Sequence, residues 1–520
     1  MRWAGSRGGR WWRAVAALAA GALPALAFPA LAFPAPSLWW FAYGALVPWL
    51  LLLRSAPSGR RAAFEGWLGG AGFMLAVHHW LAPDLHVFIV LLAALLGLLW
   101  LPWGWLAHRM LSGGPGRALA AVAVVPSGWL MVELVRSWQG LGGPWGLLGA
   151  SQWQAAGALR LASVGGVWLL SLLVVAVNTA VVLLVAGART RRTGLAGLVV
   201  CALAGLVVSR FAGTPEPYGT VRVGVVQPGV VNGVGGAGAR FDREEELTRR
   251  LAGQDVDLVV WGESSVGTDL AAEPGLERRL AALARETGAE VLVNVDARRA
   301  DRPGIYKSSV LVGPDGATGD RYDKMRLVPF GEYVPFRSAL GWVTSVGEAA
   351  GEDRRRGERP VVMEAGGTQG RPVVRFGPLV CFETAFPDMS RALVRQGAEL
   401  LVAQSATSTF QQSWAPDQHA SLGALRAAET GRSMVHATLT GVSAVYGPDG
   451  RRIGRPLGTE ASTAAVYEVP LAAGTTPYVR LGPWPLYLAL AVLAAYAGTE
   501  ARAAVRASRR GRRPGTRAAS

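Results

Sequence analysis

Cys381, in the string LVCFET, is the residue whose type and position most clearly suggest chemistry. It is one of two cysteines among 520 residues, so a disulfide is not expected. It follows the apolar run Val373–Val380, which predicts a buried strand, and it precedes a predicted helix over Asp388–Arg395. Ligands usually bind at such strand ends, and a helix N-terminus or a cation there would favour the thiolate. The alternative is a structural cysteine, which is common in protein cores.

Two further stretches contain charged residues that could act together with this thiol. Glu263 follows the predicted strand Val256–Trp261 in VVWGESS, where a carboxylate can accept a thiol proton. Lys324 and Glu332 flank a Pro/Gly-rich segment in YDKMRLVPFGEYVP. A nucleophile, a base and a fixed cation are the groups that acyl transfer through a thioester requires. Each charge taken alone is more typical of a solvated surface.

The elements that must position these residues lie in a segment of mixed polarity, which predicts an α/β domain. Its predicted strands are Val221–Val226, Val256–Trp261, Glu290–Val295, Val373–Val380 and Leu400–Gln404, and its predicted helices are Asp242–Leu251, Leu276–Thr287, Asp388–Arg395 and Gln418–Thr430. The string GPDG occurs twice between strand-like segments, which predicts two hairpins. Two similar hairpins suggest a sheet built from two related halves.

The rest of the chain is apolar, and 51% of all residues are hydrophobic. Its apolar segments are Trp11–Phe33, Leu38–Leu53, Ala62–Leu81, Val87–Leu106, Ala118–Val135, Val164–Ala186, Thr193–Val208 and Tyr478–Ala497. Several approach the ~20 residues that cross a bilayer core. We therefore expect a polytopic α-helical membrane protein with about eight spans. Residues 1–212 would form a seven-span membrane domain, 217–470 an extracytoplasmic catalytic domain, 477–498 a final span and 499–520 a basic, disordered tail.

Arginines predict which side the α/β domain occupies. They flank one set of span ends: Arg2, Arg7, Arg10, Arg13, Arg54, Arg60, Arg61, Arg109, Arg117, Arg189, Arg191 and Arg192. The opposite connections Pro34–Ser37 and Ala82–His86 carry no arginine or lysine, although a longer third connection, from Arg136 to Ser163, holds Arg136 and Arg160. By the positive-inside rule both termini are cytoplasmic, with the first span uncleaved. This topology and anionic lipid explain the net charge of +16, and no nucleic-acid partner is expected.

The order, spacing and context of Glu263, Lys324 and Cys381 resemble the nitrilase (carbon-nitrogen hydrolase) superfamily, whose fold is an αββα sandwich. The string KMRLVPFGEYVP, the flanking spans and GGPWGLLGASQWQ resemble one membrane branch of it, the apolipoprotein N-acyltransferases, over nearly the whole chain. The resemblance implies that Glu263 is the base, Lys324 the oxyanion lysine and Cys381 the nucleophile. It further implies that Glu332 orients the lysine and that Glu383 is a supporting acid.

The activity implied by this resemblance is acyl transfer in a bacterial plasma (inner) membrane. A fatty acyl chain would pass from a phospholipid to Cys381, and then to the α-amine of the N-terminal, diacylglyceryl-modified cysteine of an apolipoprotein. The partners would be these two substrates and the bilayer. No cofactor is expected, and no metal, because the histidines form no recognisable ligand pair with Cys or acidic residues. Trp145, Tyr333 and Phe382 are candidates for contact with substrate.

Two departures from the family pattern keep alternatives open. The family's Trp-Pro-Glu is Trp261-Gly262-Glu263 here, and the Asn expected after the Leu400 strand is absent from AQSATSTFQQSW. One alternative is a membrane-tethered nitrilase-like amidase that uses the same three residues with water as acceptor. Another is a catalytically inactive lipid-binding membrane protein. Eight spans exceed what a tether needs, which favours the transferase.

Overall fold

The structure, a computed structural model, describes residues 7–29, 37–231, 236–340, 351–366 and 373–511. Arg2, most of the first predicted extracytoplasmic connection and the chain beyond Gly511 therefore lie outside the described residues. The described chain forms a helical part that precedes and follows an α/β domain.

The helical part contains helices in all eight of the predicted apolar segments. The helices before the α/β domain are α1 (Arg7–Ala22), α2 (Ala42–Ala45), α3 (Val47–Arg54), α4 (Gly59–Val77), α5 (Ala82–Leu85), α6 (Phe88–Gly97), α7 (Trp100–Leu111), α8 (Pro115–Arg136), α9 (Ala156–Val185) and α10 (Ala188–Phe211). In the described ranges, four helices are long and apolar enough to cross a membrane, or five if the bent pair α6 and α7 is one span. A membrane protein is thus supported, but the predicted count of eight is not confirmed.

The C-terminal helix differs from its predicted limits. A short helix at Pro477–Leu481 ends at Gly482, whose φ of 68° breaks the chain direction. The long apolar helix begins only at Trp484 and runs to Gly511. Part of the tail that was predicted to be disordered is therefore helical. The short helix is α16 (Pro477–Leu481) and the long helix is α17 (Trp484–Gly511).

The α/β domain contains twelve strands among the described residues: β1 (Pro217–Gln227), β2 (Leu258–Val260), β3 (Glu290–Arg298), β4 (Ile305–Gly313), β5 (Gly316–Asp323), β6 (Met363–Ala365), β7 (Val374–Val380), β8 (Leu400–Ser405), β9 (Ser433–Thr438), β10 (Ser443–Tyr446), β11 (Arg452–Leu457) and β12 (Thr463–Ala472). Its helices are α11 (Gly236–Arg249), α12 (Pro274–Thr287), α13 (Arg337–Leu340), α14 (Pro387–Arg395) and α15 (Ala415–Thr430). The predicted strands and helices are confirmed, with boundaries shifted by a few residues.

The strands form two six-stranded sheets, in the orders β12-β1-β2-β3-β4-β5 and β11-β10-β9-β8-β7-β6. Both predicted hairpins exist, as β4–β5 and β10–β11, but they lie in different sheets rather than in one sheet with two halves. The helices α11 and α12 pack on the first sheet and α14 and α15 on the second, while β1 and β4 contact β9 and β7. This is the expected αββα sandwich, in which β2 and β8 are fully buried.

The helix α9 is kinked where it contacts the α/β domain. Gly166 leaves the helical conformation, with φ 66°, and a Cβ there would lie 2.6 Å from the Tyr478 ring. The carboxylate of Glu429 on α15 accepts a hydrogen bond from the freed Val167 amide at 2.7 Å, and a second at 2.8 Å from the guanidinium of Arg426. The backbone donor left free by the kink is thus satisfied by a side chain of the α/β domain.

The helix α8 shows how the two parts are arranged. Near its start, Arg117 pairs with Glu500 of α17, which also pairs with Arg109. At its end, Arg136 donates a 2.6 Å hydrogen bond to the carbonyl of Trp145, in the loop between α8 and α9. That loop contacts the α/β domain. Arg109, Arg117 and Glu500 therefore lie near the end of α8 that is opposite to the α/β domain.

Candidate active site

Glu263 lies where the two sheets meet. It follows β2 of the first sheet, and its amide donates a 3.1 Å hydrogen bond to the Ser405 carbonyl at the end of β8 in the second sheet. Its side chain is 3% exposed. The backbone of the predicted base is therefore held by both halves of the domain.

Gly262, the residue before Glu263, lies where the second sheet approaches too closely for a side chain. A Cβ at Gly262 would lie 1.9 Å from the amide nitrogen of Leu439, so no other residue fits without separating the sheets. The side chain of Gln404 donates a 2.9 Å hydrogen bond to the Trp261 carbonyl on the same turn. The turn is thus held by cross-sheet contacts, without the proline of the family pattern.

Lys324 follows β5 and is fully buried. Its Nζ donates hydrogen bonds to Oε1 of Glu263 at 2.9 Å and to Oε1 of Glu332 at 2.7 Å. The second oxygen of Glu332 accepts the Val328 amide at 2.8 Å, which orients that carboxylate. The structure therefore brings together three of the residues singled out from the sequence.

Lys307, on β4, was missed by the sequence reasoning. Its Nζ donates a 3.0 Å hydrogen bond to Oε1 of Glu263, and it lies 3.3 Å from Oε1 of Glu332 and 3.6 Å from Oδ2 of Asp296. A signal was present in the composition, because only two of the 52 basic residues are lysines. Lys307 and Lys324 are those two, and both contact the same carboxylate.

Cys381 begins a 3₁₀ turn directly after β7. Its φ of 50° is in the left-handed region, which is rare for a residue with a Cβ and is retained only where the surroundings hold it. Nε2 of His419 on α15 donates a 2.9 Å hydrogen bond to the Cys381 carbonyl. The thiol itself points towards the Ala406 carbonyl, with Sγ 3.9 Å from the oxygen.

Glu383 links this turn to the segment of Lys324. One of its oxygens accepts the Val380 amide at 2.8 Å, and the other accepts the Tyr322 hydroxyl and the Met325 amide, each at 2.7 Å. The Arg326 amide adds a fourth hydrogen bond at 3.0 Å. Glu383 therefore holds the Cys381 turn against the Lys324 segment through backbone amides and a hydroxyl, rather than through a pairing with Lys or Arg.

The segment without the family's Asn is held by a backbone hydrogen bond and by hydroxyl groups. The Thr407 amide donates to the Thr440 carbonyl at 2.9 Å, and the Ser408 and Thr440 hydroxyls lie 2.9 Å apart. This segment carries Ala406, whose carbonyl faces the thiol. Its hydrogen bonds to the loop after β9 give it a defined path beside Cys381.

The charges of the site favour a neutral Cys381 thiol beside an ionised Glu263 carboxylate. Burial alone would raise the pKa of Glu263, but the ammonium groups of Lys307 and Lys324 lower it to about 2. Burial lowers the pKa of Lys324, but Glu263 and its second carboxylate partner raise it well above its ordinary value. Burial and then Glu263 raise the pKa of Cys381 to about 12. Moving the thiol proton to Glu263 leaves the net charge unchanged, and the ammonium groups remain to stabilise the thiolate.

Two of the three proposed substrate contacts lie between the helical part and Cys381. Trp145 is 8% exposed, and its Nε1 donates a 2.8 Å hydrogen bond to Gln418 on α15. Its ring centroid is 5.4 Å from that of His419, the residue that binds the Cys381 carbonyl. The buried Phe382 ring packs edge-on against a neighbouring phenylalanine, Phe386, at 5.0 Å.

The third candidate, Tyr333, lies in the segment that contains Glu332. It is half-buried, and the guanidinium of Arg356 lies 5.3 Å from its ring centroid. Tyr333 therefore directly follows Glu332, the carboxylate that pairs with Lys324.

Two family models match the chain in separate regions. The model for the carbon-nitrogen hydrolases matches residues 222–476. The model for the apolipoprotein N-acyltransferase N-terminal domain matches residues 20–180. The two matches fall on the α/β domain and on the helices that precede it.

Curated relatives match over most of their length. The chain is 31% identical to the apolipoprotein N-acyltransferase of Pseudomonas aeruginosa, over 94% of this chain and 95% of the relative. It is 33% identical to that of Azotobacter vinelandii, over 95% of both chains. A solved amidase from Nesterenkonia sp. is similar to 50% of this chain and 93% of its own at 20% identity, with a TM-score of 0.34, which is too low to support an inference.

Proposed function

The chain belongs to the apolipoprotein N-acyltransferase family, and we propose that it carries a fatty acyl chain on Cys381 between two lipid-anchored substrates. The donor is a phospholipid, and the acceptor is the α-amine of the N-terminal S-diacylglyceryl-cysteine of an apolipoprotein. The observation that carries this proposal is the Glu263–Lys324 pair at 2.9 Å in the domain that presents Cys381 beside a loop of the membrane helices.

In the first half-reaction, Glu263 accepts the proton of the Cys381 thiol and the thiolate attacks an ester carbonyl of the phospholipid. The buried ammonium of Lys324 stabilises the oxyanion of the tetrahedral intermediate. As this intermediate collapses, the C–O bond breaks and Glu263 returns the proton to the leaving alkoxide. A lysophospholipid departs, and a thioester remains on the enzyme.

In the second half-reaction, the neutral α-amine attacks the thioester carbonyl and Glu263 takes a proton from the attacking nitrogen. Lys324 again stabilises the oxyanion. Collapse breaks the C–S bond, and the proton on Glu263 returns to the Cys381 sulfur. The products are the amide and the free enzyme, so one base and one cation serve both steps.

The helical part provides access to both substrates from the bilayer. Moving an acyl chain into water costs about 0.8 kcal/mol per CH₂, which a soluble enzyme would face with both substrates. Hydrogen bonds join the loop after α8 to both sides of the site: Gln139 donates to the Leu327 carbonyl at 2.7 Å and Trp145 donates to Gln418 at 2.8 Å. A lipid held by that loop would lie next to the thiol.

The acceptor step gives the test of this function. We expect a diacylated peptide with a free α-amine to discharge the acylated enzyme and to gain one fatty acyl group, measured by the mass of the peptide. The same peptide with an acetylated α-amine should not react, because an amide nitrogen is a poor nucleophile. Discharge by water at the same rate with either peptide would instead favour the amidase-like alternative.

We further propose that both termini are cytoplasmic and that the α/β domain is extracytoplasmic. The separation of the arginine–Glu500 cluster from the α/β domain along α8 supports this orientation. A reporter fused after Thr214 should be extracytoplasmic and one fused after Arg513 cytoplasmic, since α17 lies between them. Two reporters on the same side would contradict this orientation.

A further inference from the structure

The two lysines of this chain have the same partner. Basic positions are otherwise arginine, 50 of the 52 Lys and Arg residues. Lys307 and Lys324 come from different strands, yet both donate to Oε1 of Glu263, at 3.0 and 2.9 Å. Lys324 has a role in the proposed reaction, whereas Lys307 has none so far.

We propose that Lys307 is a positioning residue of the acyl-transfer site, which holds Glu263 in the orientation and the ionised state that proton abstraction from Cys381 requires. This inference rests on the proposed function and adds a second cation to the site.

The hydrogen bonds around Glu263 support the orienting role. Among the described residues, two side chains donate hydrogen bonds to the Glu263 carboxylate, and both reach Oε1. Two ammonium groups that approach one oxygen from different strands restrict rotation of the carboxylate. The other oxygen, Oε2, is then available to accept the thiol proton.

The surroundings of Lys307 require an ammonium rather than a guanidinium. Its Nζ lies within 3.0–3.6 Å of oxygens of Glu263, Ser264, Glu332 and Asp296. These acceptors surround one point, which a compact ammonium with three donors can occupy. A planar guanidinium presents its donors in a fixed fork and is not equivalent here.

The net charge of the cluster supports the electrostatic role. Charged and titratable groups of several elements face Glu263 and Lys307. They are Lys324 and Glu332 after β5, Asp296 on β3, Cys381 after β7 and His419 on α15. Arg354 pairs with Asp296. The three carboxylates of this cluster, Glu263, Glu332 and Asp296, face the two ammonium groups of Lys307 and Lys324. Loss of Lys307 would leave one ammonium for three carboxylates. The negative charge of a Cys381 thiolate would then be less favourable.

The direction of the pH effect follows from these charges. The lysines lower the pKa of Glu263 to about 2 against the effect of burial, so the wild-type base stays ionised throughout the usual assay range. Removing one of the two cations raises that pKa. Protonation of the base then begins at higher pH, so the acid limb of the rate moves to higher pH than in wild type. The same change disfavours the thiolate and raises the pKa of Cys381 further.

The test compares Lys307→Met with Arg354→Met in the full-length enzyme. Both variants lose one positive charge, but Arg354 contacts Asp296, at 3.3 Å, rather than Glu263. We expect Lys307→Met to slow formation of the acyl-enzyme from phospholipid at least tenfold at neutral pH, and to place the acid limb at higher pH than in wild type. Lys307→Arg should restore the pH profile more than the rate. Arg354→Met should keep the wild-type pH profile.

A second readout does not depend on the acyl donor. In the Cys201→Ala background Cys381 is the only thiol, and its alkylation by iodoacetamide reports thiolate formation as a function of pH. Lys307→Met and Lys307→Gln should both shift this profile to higher pH at an unchanged far-ultraviolet circular dichroism spectrum. Lys307→Gln keeps a donor without the charge, so it serves if the methionine variant does not fold.

The possible failures are distinguishable. If wild-type enzyme never gains an acyl group, the proposed function fails, while alkylation still tests the lysine. If wild type is acylated and Lys307→Met keeps both the rate and the pH profile, the role of Lys307 is overturned. An equal shift in Arg354→Met would also overturn it, because that effect would come from general charge rather than from contact with Glu263.

Discussion

Replacing Cys381 with alanine is expected to abolish acyl transfer, while replacing Cys201 is expected to leave it unchanged. The two cysteines of the chain are thus a matched pair for this test. Cys381 follows β7 beside Glu263 and Lys324, whereas Cys201 lies within α10. Without Cys381 no covalent intermediate forms, so neither half-reaction can occur.

The measurement is the mass of the intact enzyme after incubation with phospholipid and no acceptor. Wild type and Cys201→Ala should gain one fatty acyl group that neutral hydroxylamine removes, as a thioester requires. Cys381→Ala should never gain it. Transfer by Cys381→Ala at the wild-type rate would remove this residue from the mechanism.

Replacing Lys324 with alanine should have the second-largest effect. Removal of a single oxyanion-hole donor costs about 2.7–4 kcal/mol, or roughly 10²–10³ in rate. Lys324 is fully buried between Glu263 and Glu332, at 2.9 and 2.7 Å. Lys324→Arg should not restore the rate, because the larger planar group does not fit between these two carboxylates. The rate of acyl-enzyme formation measures both variants.

Controls separate this chemistry from folding. Arg326 lies two positions after Lys324 and pairs with Asp388 at the surface, at 2.9 Å. Arg326→Ala removes this cation and should change the rate of acyl-enzyme formation only slightly. Lys324→Met keeps the aliphatic stem, and thermal unfolding is followed in parallel because an unpaired buried carboxylate is destabilising. Near-normal turnover of a folded Lys324→Ala enzyme would contradict the assigned role.

Local patterns in the sequence were sufficient for the elements of the α/β domain. Gly288 and Gly431 end α12 and α15 in the left-handed conformation, as their positions after helical patterns predict. The GPDG strings form both hairpins. These features depend on residues that are adjacent in the chain. The periodicity of apolar residues and the residue types at turns therefore predict them. The positions of Glu263 and Cys381 after strands were visible for the same reason.

The helical part was less predictable, because hydropathy does not determine where a helix bends. The fourth apolar segment is divided into α6 and α7, which meet at 46°. The kink of α9 at Gly166 depends on Glu429, a residue of the α/β domain 262 positions away from Val167. Composition indicated the lipid environment, but packing against distant residues set the length and path of each helix.

The sequence by itself determined the membrane-bound α/β architecture and the identities of the proposed nucleophile, base and oxyanion lysine. Only the tertiary structure decided that Lys307 contacts Glu263 from 44 residues away, and that Glu383 binds amides 57 and 58 residues away. It also decided that Gly262 must lack a side chain, because Leu439 of the opposite sheet lies against it. These contacts cross between strands and sheets, so they depend on the three-dimensional distance between elements, which no pattern of neighbouring residues encodes.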